Sequence, residues 1–214
     1  MFAGVILASK SSDIAFIVMI AGPGVPLDEA MIIQNCLYAQ ADGADKNKVA
    51  FLRDWYKRFY AVAIDEKDDA SAAEKIRKIY AGLTEQQKQM LGWSDAKLNK
   101  ETEEVLSPWH RYLLAFDPEM FLTKVECPVL AVIGGRDLQV SPGENLAGIA
   151  EALKDGGNRN FVVKELPDLN HLLQTAGTGA ESEYAQIEET IAPFALKTIG
   201  DWIIVQLGEL EPGR

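Results

Sequence analysis

The stretch Cys127-Pro128-Val129-Leu130-Ala131-Val132-Ile133-Gly134-Gly135-Arg136-Asp137 decides the fold. A short run of aliphatic, mostly branched residues that ends at two glycines is typical of a strand buried on both faces, as in parallel sheets. Asp137 follows the glycines, so it lies at the carboxyl end of this strand. Ligands of open α/β sheets bind at that edge, and the stretch therefore predicts an acidic side chain where function is usually found.

Two further strands are expected on either side of this one along the chain. Residues 14–20 form a β-branched run that ends at Gly22-Pro23-Gly24, and residues 161–166 form a third strand after a glycine pair. A helix over about 141–154 separates the second and third strands, and a last helix starts near Glu181 and is interrupted by Pro193. Strands that alternate with helices favour right-handed crossovers and a parallel sheet of about three strands.

Between the first two strands the pattern becomes helical. From Asp28 to about Leu114, apolar residues recur at spacings of three and four, which predicts four or five short helices. We expect the tryptophans of this block to form its core rather than a ligand platform. These tryptophans are Trp55, Trp93 and Trp109.

Helix starts within this block carry local signals. Ser71 with Glu74, and Thr84 with Gln87, fit the capping box. Ser107-Pro108 places an N-cap residue before a proline at the first helical position, which predicts a helix through about Phe116.

Composition bounds the possible partners. The chain has 214 residues, 25% of them charged and 48% hydrophobic, which is typical of a folded globular protein. Its net charge of −11 argues against binding to nucleic acid or to anionic membrane surfaces. The apolar run at 14–20 is too short to span a membrane. Cys36 and Cys127 have no paired spacing, so we expect two free thiols in a reducing compartment, the cytoplasm.

The chain has two histidines, and one of them follows a predicted strand. His171 comes shortly after residues 161–166, at the sheet edge where Asp137 is also expected. A carboxylate at one strand end and an imidazole at the next fit an acid that orients a general base, although the pattern alone leaves a structural role equally open. Asp168 could replace Asp137 as this acid, but we expect it to stabilise its own turn. We expect His110 to be a partly buried helical residue.

Three segments together resemble the α/β-hydrolase superfamily, and within it the bacterial carboxylesterases of the serine-aminopeptidase and acylglycerol-lipase type. The three segments are residues 15–24, 127–137 and 169–172, and the likeness also includes Ser107-Pro108-Trp109 and residues 183–189. The resemblance implies a partial α/β-hydrolase sheet with an inserted all-helical cap. It also implies a triad acid at Asp137, a triad base at His171 and a small-molecule ester as the substrate. Trp109 and Arg111, on the cap, are the candidate substrate-binding residues.

The resemblance also implies a missing part. Enzymes of this superfamily carry the nucleophilic serine in a GxSxG elbow before the acid and the base, and this sequence contains no GxSxG. Ser9, Ser11 and Ser12 are expected near the far end of a helix, away from the strand tips. We expect the chain to be the C-terminal portion of a hydrolase, with little activity alone. Its expected organisation is core at 1–26, cap at 27–120 and core again at 121–214.

Other interpretations follow from the same features. A non-catalytic relative could use the cap and the partial sheet to bind a ligand or a partner protein. Metal-dependent hydrolysis is disfavoured because two distant histidines offer poor ligand geometry, and no nucleotide-binding motif predicts a cofactor. The strand at Ile14–Ile20 would expose an apolar edge, so we expect a homodimer or a partner chain to cover it.

Overall fold

The structure, a computed structural model, describes residues 3–210, apart from the side chains of the last two. Its elements, in chain order, are α1 (Ala3–Ala8), β1 (Ile17–Ile20), α2 (Leu27–Ala41), α3 (Lys46–Asp65), α4 (Asp69–Ala81), α5 (Glu85–Leu91), α6 (Asp95–Val105), α7 (Pro108–Leu114), α8 (Glu119–Leu122), β2 (Val129–Gly134), α9 (Pro142–Asp155), β3 (Phe161–Leu166), α10 (Glu181–Tyr184) and α11 (Pro193–Leu210).

The three strands form one parallel sheet in the order β1-β2-β3. Val129 in the central strand pairs with Ile17 on one side and with Phe161 on the other. All six residues of β2 are buried. The protein is therefore of the α/β class, and the expected parallel sheet of about three strands is confirmed.

Apolar side chains point away from both faces of the sheet and form two cores, one on each face. Ile17 and Met19 pack with Ala131, Ile133 and residues of α9. The side chains between them in the strands, such as those of Leu130 and Val132, face the other way and pack against the start of α11. This alternation is the two-residue period of a strand, and it places helices on both faces of the sheet.

A separate core holds the six helices α2 to α7 together. Trp55 is fully buried, and its ring lies 5.8 Å from that of Phe59 and 5.5 Å from that of Trp93. The first and last turns of this unit meet, since Leu27 N donates to the carbonyl oxygen of Phe116 at 3.0 Å.

The described part of the chain divides into a sheet unit, residues 3–25 and 117–210, and a helical unit, residues 26–116. Residues 117–120 fall in the sheet unit, where α8 packs against α9, whereas the expected insertion was 27–120. No helix within residues 3–210 is both long and apolar enough to cross a bilayer.

The strand predictions were right except at β1. This strand starts at Ile17, not at Ile14, and Ile17 N donates to the carbonyl oxygen of Pro128. The ladder stops there because a proline has no N–H to donate. The expectation of a buried strand also holds only in part, since Ile20 at the sheet edge is 46% exposed.

The helix predictions need three corrections. The helical unit has six helices of 7 to 20 residues, not four or five short ones. The capping box at Thr84 and Gln87 is confirmed, but Ser71 with Glu74 is wrong, because Asp68 caps α4 and accepts from Ser71 N. Pro193 begins α11 rather than bending a helix, and eight residues separate it from α10.

One tryptophan prediction was also wrong. Trp55 and Trp93 are in the core, but Trp109 is 63% exposed and stacks on Tyr112, at 6.3 Å. The reason is the position of Trp109 on α7, a seven-residue helix that directs Leu114 into the core instead.

The loop after β1 is fixed on α9 by a close backbone approach. Asn145 is fully buried; its Oδ1 accepts from Gly24 N at 2.9 Å and its Nδ2 donates to the carbonyl oxygen of Ser141 at 2.8 Å. A Cβ on Gly24 would lie 2.0 Å from the carbonyl oxygen of Asn145. Only glycine fits at this contact.

We expect Gly24→Ala to lower the free energy of unfolding by about 1–3 kcal/mol, because the added methyl group overlaps the backbone of α9. Gly143→Ala on the same helix is the control, since a Cβ there would meet nothing within 4 Å. Urea unfolding followed by far-UV circular dichroism measures both variants. Equal midpoints for the two would show that the contact at Gly24 relaxes without cost.

The outer edge of β1 has no strand partner within the described part of the chain, and such an edge is a template for pairing. We expect the chain to associate at micromolar concentration, and Ile20→Lys to reduce this association by placing a charge on the edge. Met120→Lys, which charges an apolar residue that is 60% exposed on α8, is the control. Light scattering gives the mass, and a monomeric, well-folded parent chain would contradict this expectation.

Candidate functional site

Asp137 lies where β2 ends. Its backbone N–H donates to the carbonyl oxygen of Gly134 at 3.0 Å, so the chain turns sharply after the strand. The carboxylate of Asp137 is fully buried. A buried carboxylate is stable only when its oxygens are hydrogen-bonded, and the neighbouring groups provide these bonds.

Each oxygen of this carboxylate has its own partners. Oδ1 accepts from the backbone N–H groups of Gln139 and Val140, both at 2.8 Å. Oδ2 lies 2.9 Å from Nδ1 of His171. The backbone bonds fix the carboxylate, and the fixed carboxylate in turn orients the imidazole ring.

His171 lies in a tight loop that a buried amide holds together. Asn170 is fully buried, and its Oδ1 accepts from the backbone N–H groups of Leu172 and Gln174, both at 3.0 Å. Its Nδ2 donates to Oε1 of Gln174 at 3.0 Å, and an isolated antiparallel bridge joins Leu169 to Thr175. The backbone on both sides of His171 is therefore fixed before any ligand binds.

Gly134 lets this loop approach the end of β2. A Cβ at this position would lie 2.2 Å from the carbonyl oxygen of Leu169 and 2.5 Å from that of Asn170. Gly134, which ends β2, is thus required by the close approach of the loop that carries His171. It brings the loop of His171 against the turn of Asp137.

The ring of His171 is partly accessible, with 14% of its side chain exposed. Within residues 3–210, its one hydrogen bond is the bond from Nδ1 to Asp137. Nε2 lies on the opposite side of the ring and has no such bond. An imidazole held at Nδ1 by a carboxylate and open at Nε2 has the arrangement of a general base.

Two residues that the sequence analysis did not single out border this pair. Gln139 Nε2 donates to the hydroxyl oxygen of Tyr184 at 3.3 Å, next to the Asp137 turn. Burial, together with the negative charge of Asp137, raises the pKa of Tyr184. Tyr184 is on the four-residue α10, and no spacing in the sequence relates it to Asp137.

Asp168, the alternative acid, has a different partner. Its carboxylate accepts from Arg136, with Nε at 3.0 Å, and it makes no hydrogen bond to His171. We expected Asp168 to stabilise its own turn through backbone contacts, and its carboxylate additionally pairs with Arg136. The backbone of Asp168 does stabilise the turn, since its carbonyl oxygen accepts from Ala176 N at 2.9 Å.

The candidate residues of the helical unit all lie on α7. They are His110 and the two expected substrate-binding residues, Trp109 and Arg111. His110 is partly buried, with 24% of its side chain exposed, as expected. The Arg111 guanidinium donates to the carbonyl oxygens of Ala63, of Glu66 at 2.6 Å and of Leu106 at 3.1 Å, and it pairs with Asp69 at 2.8 Å. These bonds close the end of α3 and occupy the guanidinium. The roles of Trp109 and Arg111 in substrate binding stay predictions.

The serines near the start of the chain make local contacts. Ser9 Oγ donates to the carbonyl oxygen of Ile6 at 2.8 Å, and Ser11 Oγ accepts from Asp13 N at 3.2 Å. Within residues 3–210, no group of three or more His, Cys, Asp or Glu side chains is arranged to hold a metal ion.

No family model matches this chain, and no curated protein or solved structure matches it either. The resemblance to α/β-hydrolases therefore stays a prediction from the residues quoted above. The hydrogen-bonded pair of Asp137 and His171 is a feature of the structure itself.

The geometry predicts which ring nitrogen of neutral His171 carries the proton. Because Nδ1 faces a carboxylate, we expect the proton on Nδ1. In Asp137→Asn, the N–H groups of Gln139 and Val140 keep the amide oxygen, so the NH₂ group faces His171 and the proton moves to Nε2. Two-bond ¹H–¹⁵N correlation spectra at alkaline pH distinguish the two forms, with His110 as the internal control. A neutral parent ring protonated at Nε2 would contradict the assigned hydrogen bond.

Proposed function

We propose that Asp137 and His171 are the acid and the base of a serine hydrolase that acts on carboxylic esters. The observation that carries the proposal is the 2.9 Å contact between Asp137 Oδ2 and His171 Nδ1. These residues follow β2 and β3, which are adjacent parallel strands, so both lie at the edge where α/β sheets bind ligands.

In this reaction the two side chains have distinct roles. His171 Nε2 accepts the proton of a serine hydroxyl as the serine oxygen bonds to the ester carbonyl carbon, and it then returns the proton to the departing alkoxide. A water molecule repeats the sequence and releases the acid. Asp137 holds the ring and stabilises the imidazolium form. The backbone N–H groups of Gln139 and Val140 hold Asp137, and the side chain of Asn170 holds the loop of His171, so this geometry is in place without substrate.

The nucleophile of the proposed enzyme is a serine outside these 214 residues, since the sequence has no GxSxG. In this proposal the three-stranded sheet is part of an α/β-hydrolase sheet, and the helical unit is the cap that forms the acyl-pocket wall. Trp109 and Arg111 are the proposed substrate-binding residues of that cap. A triad of this type needs no cofactor, and the two free cysteines suit the cytoplasm.

The same absence of GxSxG favours a second candidate function, a non-catalytic relative that binds a ligand or a partner protein. The two candidates differ in the coding sequence upstream of Met1. An in-frame GxSxG there supports the hydrolase, and a genuine translation start without one supports the binding protein.

We expect the 214-residue chain alone to give no burst with a p-nitrophenyl ester, and the upstream-extended chain to turn the ester over. In the extended chain, His171→Ala should lower kcat by about four orders of magnitude or more, because the general base is lost. Asp137→Asn should also lower kcat, because the ring of His171 loses its carboxylate partner. Asp168→Asn is the control for this variant, since Asp168 pairs with Arg136 and not with His171. Equal turnover with and without His171 would remove it from the mechanism.

A further inference from the structure

The helical unit contains a cavity of about 200 Å³ that is separate from the pair of Asp137 and His171. Ten residues of α2, α3, α6 and α7 line it, and none of them is lysine or arginine. At about 30 Å³ for each water-sized group, this volume suits a ligand with roughly seven non-hydrogen atoms.

Aromatic rings form one wall of this cavity. The rings of Tyr56 and Tyr60 lie 5.6 Å apart with 32° between their planes, and the ring of Phe59 lies 5.8 Å from that of Tyr60. Asn35 Nδ2 donates to the hydroxyl oxygen of Tyr60 at 3.2 Å, which fixes this ring. Faces of aromatic rings attract cations.

Two carboxylates on one face of α6, those of Glu101 and Glu104, also line the cavity. Glu104 Oε1 lies 3.5 Å from Nε2 of His110, and the side chain of Glu104 is half exposed. Glu101, one turn earlier, is partly buried and makes no hydrogen bond or ion pair with any residue in the described part of the chain. Glu101 is therefore a carboxylate beside aromatic rings, and no cationic side chain of the described residues pairs with it.

The charge of Glu101 acts on both tyrosines. Burial raises the pKa of Tyr56 to about 12, and the carboxylate of Glu101 adds to this effect. Burial also raises the pKa of Tyr60, again with a contribution from Glu101. The cavity therefore combines neutral phenol rings with a negative charge close to them.

We propose that this cavity binds a small organic cation that carries an ammonium group. The cation would pair with Glu101 and contact the faces of Tyr56 and Tyr60, while Glu104 stays with His110. Methylated ammonium groups suit the site, because Met31, Phe59 and Val105 add apolar side chains to a lining that also includes the amides Gln34 and Asn35. The proposed site lies wholly within the helical unit and does not depend on ester chemistry.

Choline, a quaternary ammonium ion of matching size, is the probe. It is titrated to about 20 mM at constant ionic strength, since ligands this small bind weakly. The ring signals of His110, which lines the cavity, report binding by NMR, and those of His171 in the sheet unit are the internal control. We expect saturable shifts of His110 alone. The neutral isostere 3,3-dimethylbutan-1-ol should give none.

Glu101→Gln should weaken choline binding about tenfold or more, because it removes the charge that pairs with the cation. Glu103→Gln is the matched control, since Glu103 is exposed on the same helix and does not line the cavity. Far-UV circular dichroism checks the fold of both variants. Equal binding of choline and its neutral isostere, unchanged binding in Glu101→Gln, or no shift of His110 up to the highest concentration would each overturn the proposal.

Discussion

The pairing of β2 with a parallel neighbour on each side is the interaction on which the rest of the sheet unit depends. Parallel strands end at one edge, and the register that pairs Gly134 with Leu166 makes β2 and β3 end at the same level. The turns that follow are therefore neighbours in space although they are far apart in sequence. Helices cover both faces because every strand has apolar side chains in both directions.

The buried carboxylate of Asp137 adds a second constraint. Removing a charge from water is costly, and the cost is offset only if each oxygen has partners. Two backbone N–H groups and an imidazole supply them, so the turn after β2 and the loop after β3 stabilise each other. The hydrogen bond that His171 makes to the buried carboxylate of Asp137 also orients the imidazole ring, so this orientation needs no contact from a ligand.

Local signals predicted local features well. The limits of β3, the serine cap and first-turn proline of α7 and the capping box at Thr84 depend on residues close together in sequence. Some of the predictions that failed depended on distant partners, whereas the cap of α4 and the break before α11 were mispredicted from local signals. The late start of β1 follows from Pro128, which is more than a hundred residues away. The cavity beside Glu101 collects side chains from four helices, and Tyr184 reaches the Asp137 turn through Gln139. No single helix or strand carries a pattern for such contacts.

The hydrogen bond between Leu27 and Phe116 has a consequence for how the chain could be built and altered. It brings the two ends of the helical unit together, at a nitrogen-to-oxygen distance of 3.0 Å. A segment whose ends meet can enter or leave a gene as one block, because closing the gap needs only a short turn. A chain that joins residue 25 to residue 117 through a few glycines and serines is therefore a practical minimal scaffold. The helical block keeps its own aromatic core, because the side chains of that core all lie between residues 27 and 116.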